Sequence, residues 1–404
     1  MLDTKTRDVI KATIPVLETH GEQITKRFYE MLFDAHPELL NIFNHSNQRE
    51  GRQQTALANA VYAAAVHIDN LESILPAVKQ ISHKHRGLGI QPEHYPIVGQ
   101  FLLRAIKDVL GDAATDEIIQ AWADAYGAIA SAFIGVEQEM YEEAGQQPGG
   151  WTDFRPFVVS RKVRESDVIT SFYLTPKDGE AISSYRPGQY LTLKVSVPGQ
   201  AYTQMRQYSL SDTPGKPYYR ISVKREDARE NAPAGLVSNY LHNDVQEGDT
   251  LLASAPSGDF MLVIDTERPV VFLSGGVGMT PLMSMVSTLL QRRPKHHVTY
   301  VHAALHGGVH AFKSTLEGLA DEYENTSYYA VYERPSHEDK AYRHFAKEGF
   351  VDADWLRSIA PLDAEFYFCG PVSFMKAVYR ILKGLGVDDA QIHYEFFGPQ
   401  GSLA

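Results

Sequence analysis

Three histidines, His83, His85 and His94, fall within VKQISHKHRGLGIQPEHYPIVG, the stretch from Val78 to Gly99. An imidazole can hold a metal or move a proton near neutral pH. His83 and His85 stand two apart, and on a helix such residues point in different directions. Phase separates them. Val78, Ile81, His85 and Leu88 recur at i, i+3, i+7 and i+10, one apolar stripe. His83 falls with Lys79, Gln80 and Arg86, which reads as a solvent face. Gly87 and Gly89 then end the helix. His85 is therefore expected inside, either as a core residue bonded to a carbonyl or as a metal ligand.

A second stripe bears on that choice. Tyr126, Ile129, Phe133, Glu137 and Met140 place a carboxylate where a hydrophobe is expected. Burying an unpaired charge is costly. A helix end reaching solvent would relieve it, and so would an inward imidazole N–H. Metal-bound histidines are typically held by such an acceptor. The two oddities explain each other if His85 is a ligand and Glu137 orients it.

Other stretches suit phosphate and flat rings. In MRQYSLSD, Arg206 and Tyr208 share one face of a strand, while Ser209 faces oppositely unless the strand breaks. A guanidinium suits pyrophosphate, and an aromatic suits a planar ring. In GLVSNYL, Gly235 and Ser238 suit a helix start that takes phosphate on its N–H groups. PVVFLSGGVGMTPLMSM reads as a buried strand, a Gly-rich turn and a helix. Gly275, Gly276 and Gly278, with Val277, Met279 and Thr280 between and after them, let a backbone approach pyrophosphate. Pro281 replaces the third glycine of G-x-G-x-x-G, which the first helical turn tolerates. In FYFCGP, Cys369, Gly370 and Pro371 form a strand-end turn, and Cys369 also reads as a small buried hydrophobe.

The elements that must position these groups change character twice. The first ~140 residues read as helix, rich in alanine with apolar residues at three and four. EEAGQQPGGW, Glu142 to Trp151, marks a boundary. From Trp151 to about Phe260, FRPFVVSRKV, TSFYLTP, QYLTLKVSV, QYSLSD and YYRISVKR alternate as in a small antiparallel barrel. After Met261, PVVFLSGG, HHVTYVHA, TSYYAVYE and AEFYFCGP are buried-strand runs with helical segments between, the pattern of a doubly wound parallel sheet. The expected organisation is an all-α domain over 1–147, an antiparallel β-barrel over 148–261 and an α/β domain over 262–404.

Bulk properties exclude several classes. The 404 residues carry a formal net charge of -12, with no Lys/Arg block, so a nucleic-acid partner is not expected. No apolar run approaches the ~20 residues of a membrane span. The start, MLDTKTRDVI, lacks the apolar core of a secretory leader. A single cysteine excludes an intramolecular disulfide and fits a reducing cytoplasm.

KHRGLGI followed by PEHY resembles the flavohemoglobin family, and the resemblance covers the whole chain. It implies a globin of about six main helices holding heme b. Phe43, in LLNIFNHSNQ, corresponds to the phenylalanine that wedges the heme, and His85 to its axial ligand. Tyr95 and Glu137 would complete a hydrogen-bonded triad with His85. Tyr29, in KRFYEMLF, would stand on the distal side with Gln53 and Leu57. Lys84 would look toward the flavin domain or simply be solvated. The later stretches resemble the ferredoxin-reductase superfamily, which implies FAD on Tyr190, Arg206, Gln207, Tyr208, Ser209 and Ser238. YEFFG would bring Glu395, Phe396, Phe397 and Gly398 beside the isoalloxazine, with Phe396 covering one face. The G-G-x-G-x-T-P turn and the Cys-Gly-Pro turn would hold the nicotinamide dinucleotide. No acidic residue ends HHVTYVHA and no arginine pair stands there, a lean to NADH over NADPH.

The implied activity is nitric oxide dioxygenation: NO and O2 become nitrate at a heme reduced by NAD(P)H through FAD. Its readings from other classes are a heme-based sensor of O2 or NO with a resetting reductase, and a flavin reductase with a non-heme helical interaction module. A monomer is expected. Ala56, Leu57, Ala60 and Val61 share a helix face with Gln53. Those small residues either let helices approach or leave apolar space for an azole or acyl chain.

The phase argument makes a direct prediction. His85→Ala should abolish stable heme binding and His83→Ala should not. Equal heme content in the two purified variants would remove the argument.

Overall fold

The computed structural model describes residues 2–43, 48, 51–230, 232–398 and 403. The chain forms two compact units: residues 1–154 with 192–206, and residues 155–191 with 207–404.

The first unit is mainly helical. Helix α1 (Thr4–Ala12) is capped by Asp3, whose side chain accepts the Thr6 N–H at 2.7 Å. Helix α2 (Ile14–Ala35) starts with a proline in its first turn. Then come α3 (Arg52–Val66), α4 (Leu75–Leu88), α5 (His94–Leu110) and α6 (Asp116–Gln146). Gly89 stops α4 in the left-handed region, φ 75°. Their apolar faces meet in a core that includes Ile24, Phe28, Leu32, Phe101, Ile106 and Trp122. The segment 192–206 joins this unit, with the Thr203 N–H donating to Asn41 Oδ1 at 2.8 Å.

Two sequence expectations change here. Arg86, expected toward solvent, is buried, and His83 is half-buried. The reason is the length of α6. Its Tyr141 hydroxyl donates to Ile90 O at 2.8 Å and Arg86 O at 3.4 Å, so the end of α6 covers that side of α4. On α3 the buried alanines are Ala58, Ala64 and Ala65, and a Cβ on Gly21 of α2 would lie 3.5 Å from Ala58. Ala60 is exposed. The small residues thus bring α2 and α3 together, and an apolar guest beside Ala60 finds no support.

The six-stranded antiparallel sheet has the order β4-β3-β6-β1-β2-β5. Its strands are β1 (Arg155–Arg164), β2 (Ile169–Pro176), β3 (Tyr190–Val195), β4 (Gln204–Ser209), β5 (Tyr219–Lys224) and β6 (Thr250–Ala253). Helix α7 (Leu236–Asn243) follows β5. A second six-stranded sheet has the order β10-β9-β8-β7-β11-β12, and each neighbouring pair is parallel. It comprises β7 (Val270–Gly275), β8 (Val298–Ala304), β9 (Thr326–Tyr332), β10 (Lys347–Glu348), β11 (Glu365–Cys369) and β12 (Ile392–Glu395). Helices α8 (Met279–Arg292), α9 (Lys313–Glu322), α10 (His337–Tyr342), α11 (Ala353–Ile359) and α12 (Val372–Gly384) connect them. Phe272, Tyr300 and Tyr367 pack against Leu282 and Met285 of α8 on one face. Leu273, Val301 and Phe366 pack against Leu356 of α11 and Met375 of α12 on the other. Ile169 and Phe260 join the first of these cores, so the antiparallel sheet and the α/β layers share apolar packing.

No described helix is long and apolar enough to cross a membrane. The strand order reverses direction between β7 and β11, and in such sheets the crevice at the strands' carboxyl ends is where ligands bind.

One close contact of the helical core can be tested. A Cβ on Gly99 of α5 would lie 2.5 Å from the Tyr126 ring of α6. Gly99→Ala should therefore destabilise the helical unit by about 1–3 kcal/mol. Thermal unfolding followed by helical circular dichroism measures this, and an unchanged midpoint would show that the ring moves aside freely.

Candidate functional site

The end of α4 and the last third of α6 bring His85 and Glu137 together. His85 Nδ1 lies 2.7 Å from Glu137 Oε1 and 3.2 Å from the Tyr95 hydroxyl. Tyr95 itself donates to Glu137 Oε1 at 2.7 Å. A carboxylate only accepts, so the proton of the neutral imidazole sits on Nδ1. Nε2 then presents a lone pair, the state a metal ligand needs. Glu137 is 3% exposed, and the half-buried His85 ring packs against Phe133 at 5.7 Å between centroids. Burial and the Glu137 carboxylate push the Tyr95 phenol far above the ordinary tyrosine range, so it stays a donor.

Two groups near this triad escaped the sequence reading. Ser82, fully buried, donates to Glu137 Oε1 at 3.5 Å. Its place three residues before His85 was the available signal. Tyr126 donates to Tyr95 O at 2.6 Å and so fixes the start of α5.

Tyr29 lies in an aromatic nest. Phe28, Phe33 and Phe43 stand 4.7, 5.7 and 5.8 Å from its ring centroid. Burial raises its phenol well above the ordinary range, against the smaller effect of hydrogen bonds with Gln53 and Gln48. Gln48 also donates to Gln53 Oε1 at 3.0 Å. Gln53, Leu57 and Lys84 are half-buried. One imidazole with a free lone pair, a wedge of phenylalanines and a phenol locked as a donor form a set that fits a heme.

Strand β4 is an edge strand. Arg206 and Tyr208 are half-buried on one face, Gln207 is exposed, and Ser209 is buried at the strand's end. Arg206 donates to Met205 O at 2.8 Å. Tyr190 opens β3 and is buried, its ring 2.9 Å from where a Cβ on Gly258 would stand. Ser238 holds the turn before α7, accepting the Glu226 N–H at 3.2 Å and donating to Gly235 O at 3.3 Å. A guanidinium, two phenols and a serine hydroxyl suit FAD, with Ser238 acting through that turn.

The YEFFG expectation needs correction. Phe396 is buried in the α/β core, 5.7 Å from Tyr394 edge to face, whereas Phe397 is 46% exposed. Residues two apart share a face of β12, and Tyr394 already stacks on Phe368. Phe396 follows it inward. Phe397, two residues after Glu395, is the exposed ring of the pair, and Gly398 follows at φ 148°.

The two turns at the sheet's switch point touch. A Cβ on Gly278 would lie 2.2 Å from Cys369 O, so only glycine fits. Gly276 has φ 52° and nothing within 4 Å of its Cβ position, an open side for a phosphate. Gly275 and Gly370 stand back to back, a Cβ on Gly370 meeting Gly275 Cα at 3.1 Å. Pro371 caps α12. The turn's own groups are partly used. The Met279 N–H returns to Gly276 O and Val277 O, and its side chain is in the core, so it offers a ligand nothing. The Thr280 hydroxyl donates to Val277 O at 3.0 Å. Burial pushes the Cys369 thiol well up, which keeps it protonated and inert. This cradle fits a dinucleotide pyrophosphate.

Beneath it lies a polar row that sequence reasoning missed. Cys369, Ser274 and His302 sit at one register on β11, β7 and β8. Ser274 Oγ is 2.7 Å from His302 Nδ1, and the His302 ring lies 4.1 Å from that of His310. His310 is held by the Tyr332 hydroxyl at 2.9 Å and the Tyr328 hydroxyl at 3.1 Å. Burial depresses both imidazoles, His302 to about 3, so the row is uncharged. It ties the turn after β7 to the loop after β8.

Comparison with known proteins places the chain among families. The globin family model matches residues 26–133, the oxidoreductase FAD-binding domain 156–262 and the oxidoreductase NAD-binding domain 272–380. A flavohemoprotein of Bacillus thuringiensis subsp. konkukian is 59% identical over 404 residues, covering 100% of both chains. The chain belongs to the flavohemoprotein family. A flavohemoglobin structure from Malassezia yamatoensis, with bound FAD and heme, superposes with a TM-score of 0.83 at 26% identity, covering 98% of this chain and 100% of that one. A flavohem-like FAD/NAD-binding domain of nitric oxide dioxygenase from Vibrio cholerae covers 61% of this chain and 100% of its own, at 42% identity and a TM-score of 0.55. The chain is thus an oxidoreductase whose cofactors are heme, FAD and a nicotinamide dinucleotide.

Glu137→Gln should keep heme bound but weaken the pull on His85 Nδ1–H. The expected signs are a lower iron–histidine stretching frequency in resonance Raman and a raised heme potential. Losses of this kind are typically about 10–100-fold in affinity or activity. An unchanged frequency would mean that Glu137 does not act on the ligand.

Proposed function

We propose that the protein is a nitric oxide dioxygenase that turns NO and O2 into nitrate at the expense of NADH or NADPH, and that it works in the cytoplasm. The observation that carries the reading is the triad of His85, Glu137 and Tyr95. An imidazole whose Nδ1–H is given to a buried carboxylate is a stronger electron donor through Nε2 than one bonded to a backbone carbonyl. That is the ligand of an oxygen-activating heme. A module that only stores or reports oxygen has no need of it. The relation to a nitric oxide dioxygenase domain at 42% identity supports the same reading.

When bound, heme supplies the oxygen chemistry, FAD converts a hydride into single electrons, and the dinucleotide supplies the hydride. The chain's residues divide the remaining work. His85 would hold the iron through Nε2, with Tyr95 and Ser82 keeping Glu137 in place. Tyr29, fixed by Gln53 and Gln48 and kept protonated by burial, would donate its O–H to a distal ligand. Arg206, Tyr208 and Ser209 would anchor the flavin, with Tyr190 and the ring of Phe397 bounding it. Gly276, Val277 and Gly278 would cradle the pyrophosphate. Cys369 would shape the nicotinamide end without entering redox chemistry.

The test is steady NADH-driven consumption of NO with nitrate as product, at many turnovers per heme. A stoichiometric response of one NO per heme would favour a sensor. Absence of a Soret band from the purified protein would favour a flavin reductase. Arg206→Ala should deplete FAD and stop NADH-driven heme reduction, while dithionite-reduced heme still binds O2.

A further inference from the structure

The loop after β8 holds a carboxylate that neither the triad nor the glycine-rich turn uses. Asp339, the third residue of α10, is 4% exposed. Its Oδ2 accepts the Gly307 N–H at 3.0 Å and the Ser336 N–H at 2.8 Å. Burial pushes its carboxyl up, but the Gly307 and Ser336 N–H groups, the Ser336 side chain and the nearby His306 imidazole together pull it below the ordinary aspartate value, so it is charged at neutral pH. Among the described residues no lysine or arginine pairs with it. A Cβ on Gly307 would lie 2.2 Å from Asp339 Oδ1, so the carboxylate sits directly beneath the loop backbone.

The loop's other neighbours add little positive charge. On its far side a Cβ on Gly308 would lie 2.6 Å from Asp167 Oδ2, a second carboxylate, which pairs with Arg164 at 2.7 Å. His306 Nδ1 accepts the Gly308 N–H at 3.2 Å. Arg334, just past the end of β9, donates its backbone N–H to Leu305 O at 2.9 Å. Its guanidinium is largely exposed and lies 3.5 Å from Glu333, which offsets it.

In a doubly wound sheet the first turn takes the pyrophosphate and the end of the adjoining strand takes the adenosine ribose. Here those are the Gly275–Gly278 turn after β7 and the loop from Leu305 to Val309 after β8. The two dinucleotides differ only at that ribose, where NADPH carries a 2′-phosphate. We propose that the buried carboxylate of Asp339 is the specificity-determining group of this loop and selects NADH by repelling the 2′-phosphate of NADPH. The proposal rests on the dinucleotide reading of the β7 turn. It also replaces the expected device, an acid at the end of β8 itself, with one delivered from α10 underneath.

The test uses the full-length holoprotein and follows flavin reduction by NADH and by NADPH under stopped flow. The wild type should prefer NADH. Asp339→Asn keeps an acceptor oxygen for Gly307 and Ser336 but removes the charge. It should raise the NADPH-to-NADH ratio of kcat/KM by about tenfold, through the KM for NADPH. An unchanged ratio in a folded, FAD-loaded variant overturns the proposal, since Asp339 then only caps α10. Leu305→Arg adds a cation to an exposed position of the same loop and should shift the ratio in the same direction. Should Asp339→Asn fail to fold, Leu305→Arg decides, and a ratio it leaves unmoved overturns the proposal. If neither dinucleotide reduces the flavin of the wild type, the reading of the β7 turn falls first, and this one with it.

Discussion

A carboxylate buried among helices has to be answered by donors, and in the helical unit that demand organises the site. Glu137 is met by the imidazole of His85 and the hydroxyl of Ser82 from α4 and by the phenol of Tyr95 from α5. Leaving it unmet would cost several kcal/mol. The crossing of α4 with α6 and the start of α5 are thereby fixed relative to one another. The same contact settles the imidazole tautomer, so a requirement of folding and a requirement of the metal site are one interaction. Gly99 and Tyr126 serve it at one remove: the absent side chain lets the Tyr126 ring in, and that hydroxyl holds the backbone at Tyr95.

The α/β unit solves a different problem. Its phosphate turn must be open on one side and rigid on the other. Openness comes from Gly276, which carries no side chain and turns left-handed. Rigidity comes from below, where Gly278 presses on the Cys369 carbonyl and Ser274 is tied through His302 to His310. Burial keeps both imidazoles neutral, so this polar row can lie in an apolar core without a counter-ion. Asp339 is the contrasting case, a buried charge kept ionised because backbone N–H groups answer it.

Much of this was legible in periodicity. The stripes through His85 and Glu137 placed both groups inward, because helical phase depends only on spacing. The long strand runs and the glycine-rich turn were equally plain. Strands β6 and β12, four residues each, and β10, two residues, were not, because so short a segment carries no period to read. Arg86 was misplaced because amphipathicity assumes one buried face, and α4 is covered on a second by the end of α6. Phe396 was misplaced because the sequence shows two adjacent rings but not which face of β12 meets the core.

The sequence by itself determined the order of three modules, the identity of the inward histidine and carboxylate, and the position of the dinucleotide turn. Each rests on local spacing, which a linear chain carries in full. The tertiary structure decided the rest: that His85 and Glu137 meet at 2.7 Å, that Phe397 and not Phe396 is the free ring, and that Asp339 of α10 lies under the loop after β8. Those pairings join residues 52 and 32 positions apart. No local pattern encodes such a meeting, because it is set by how whole faces pack once every buried polar group must find a partner.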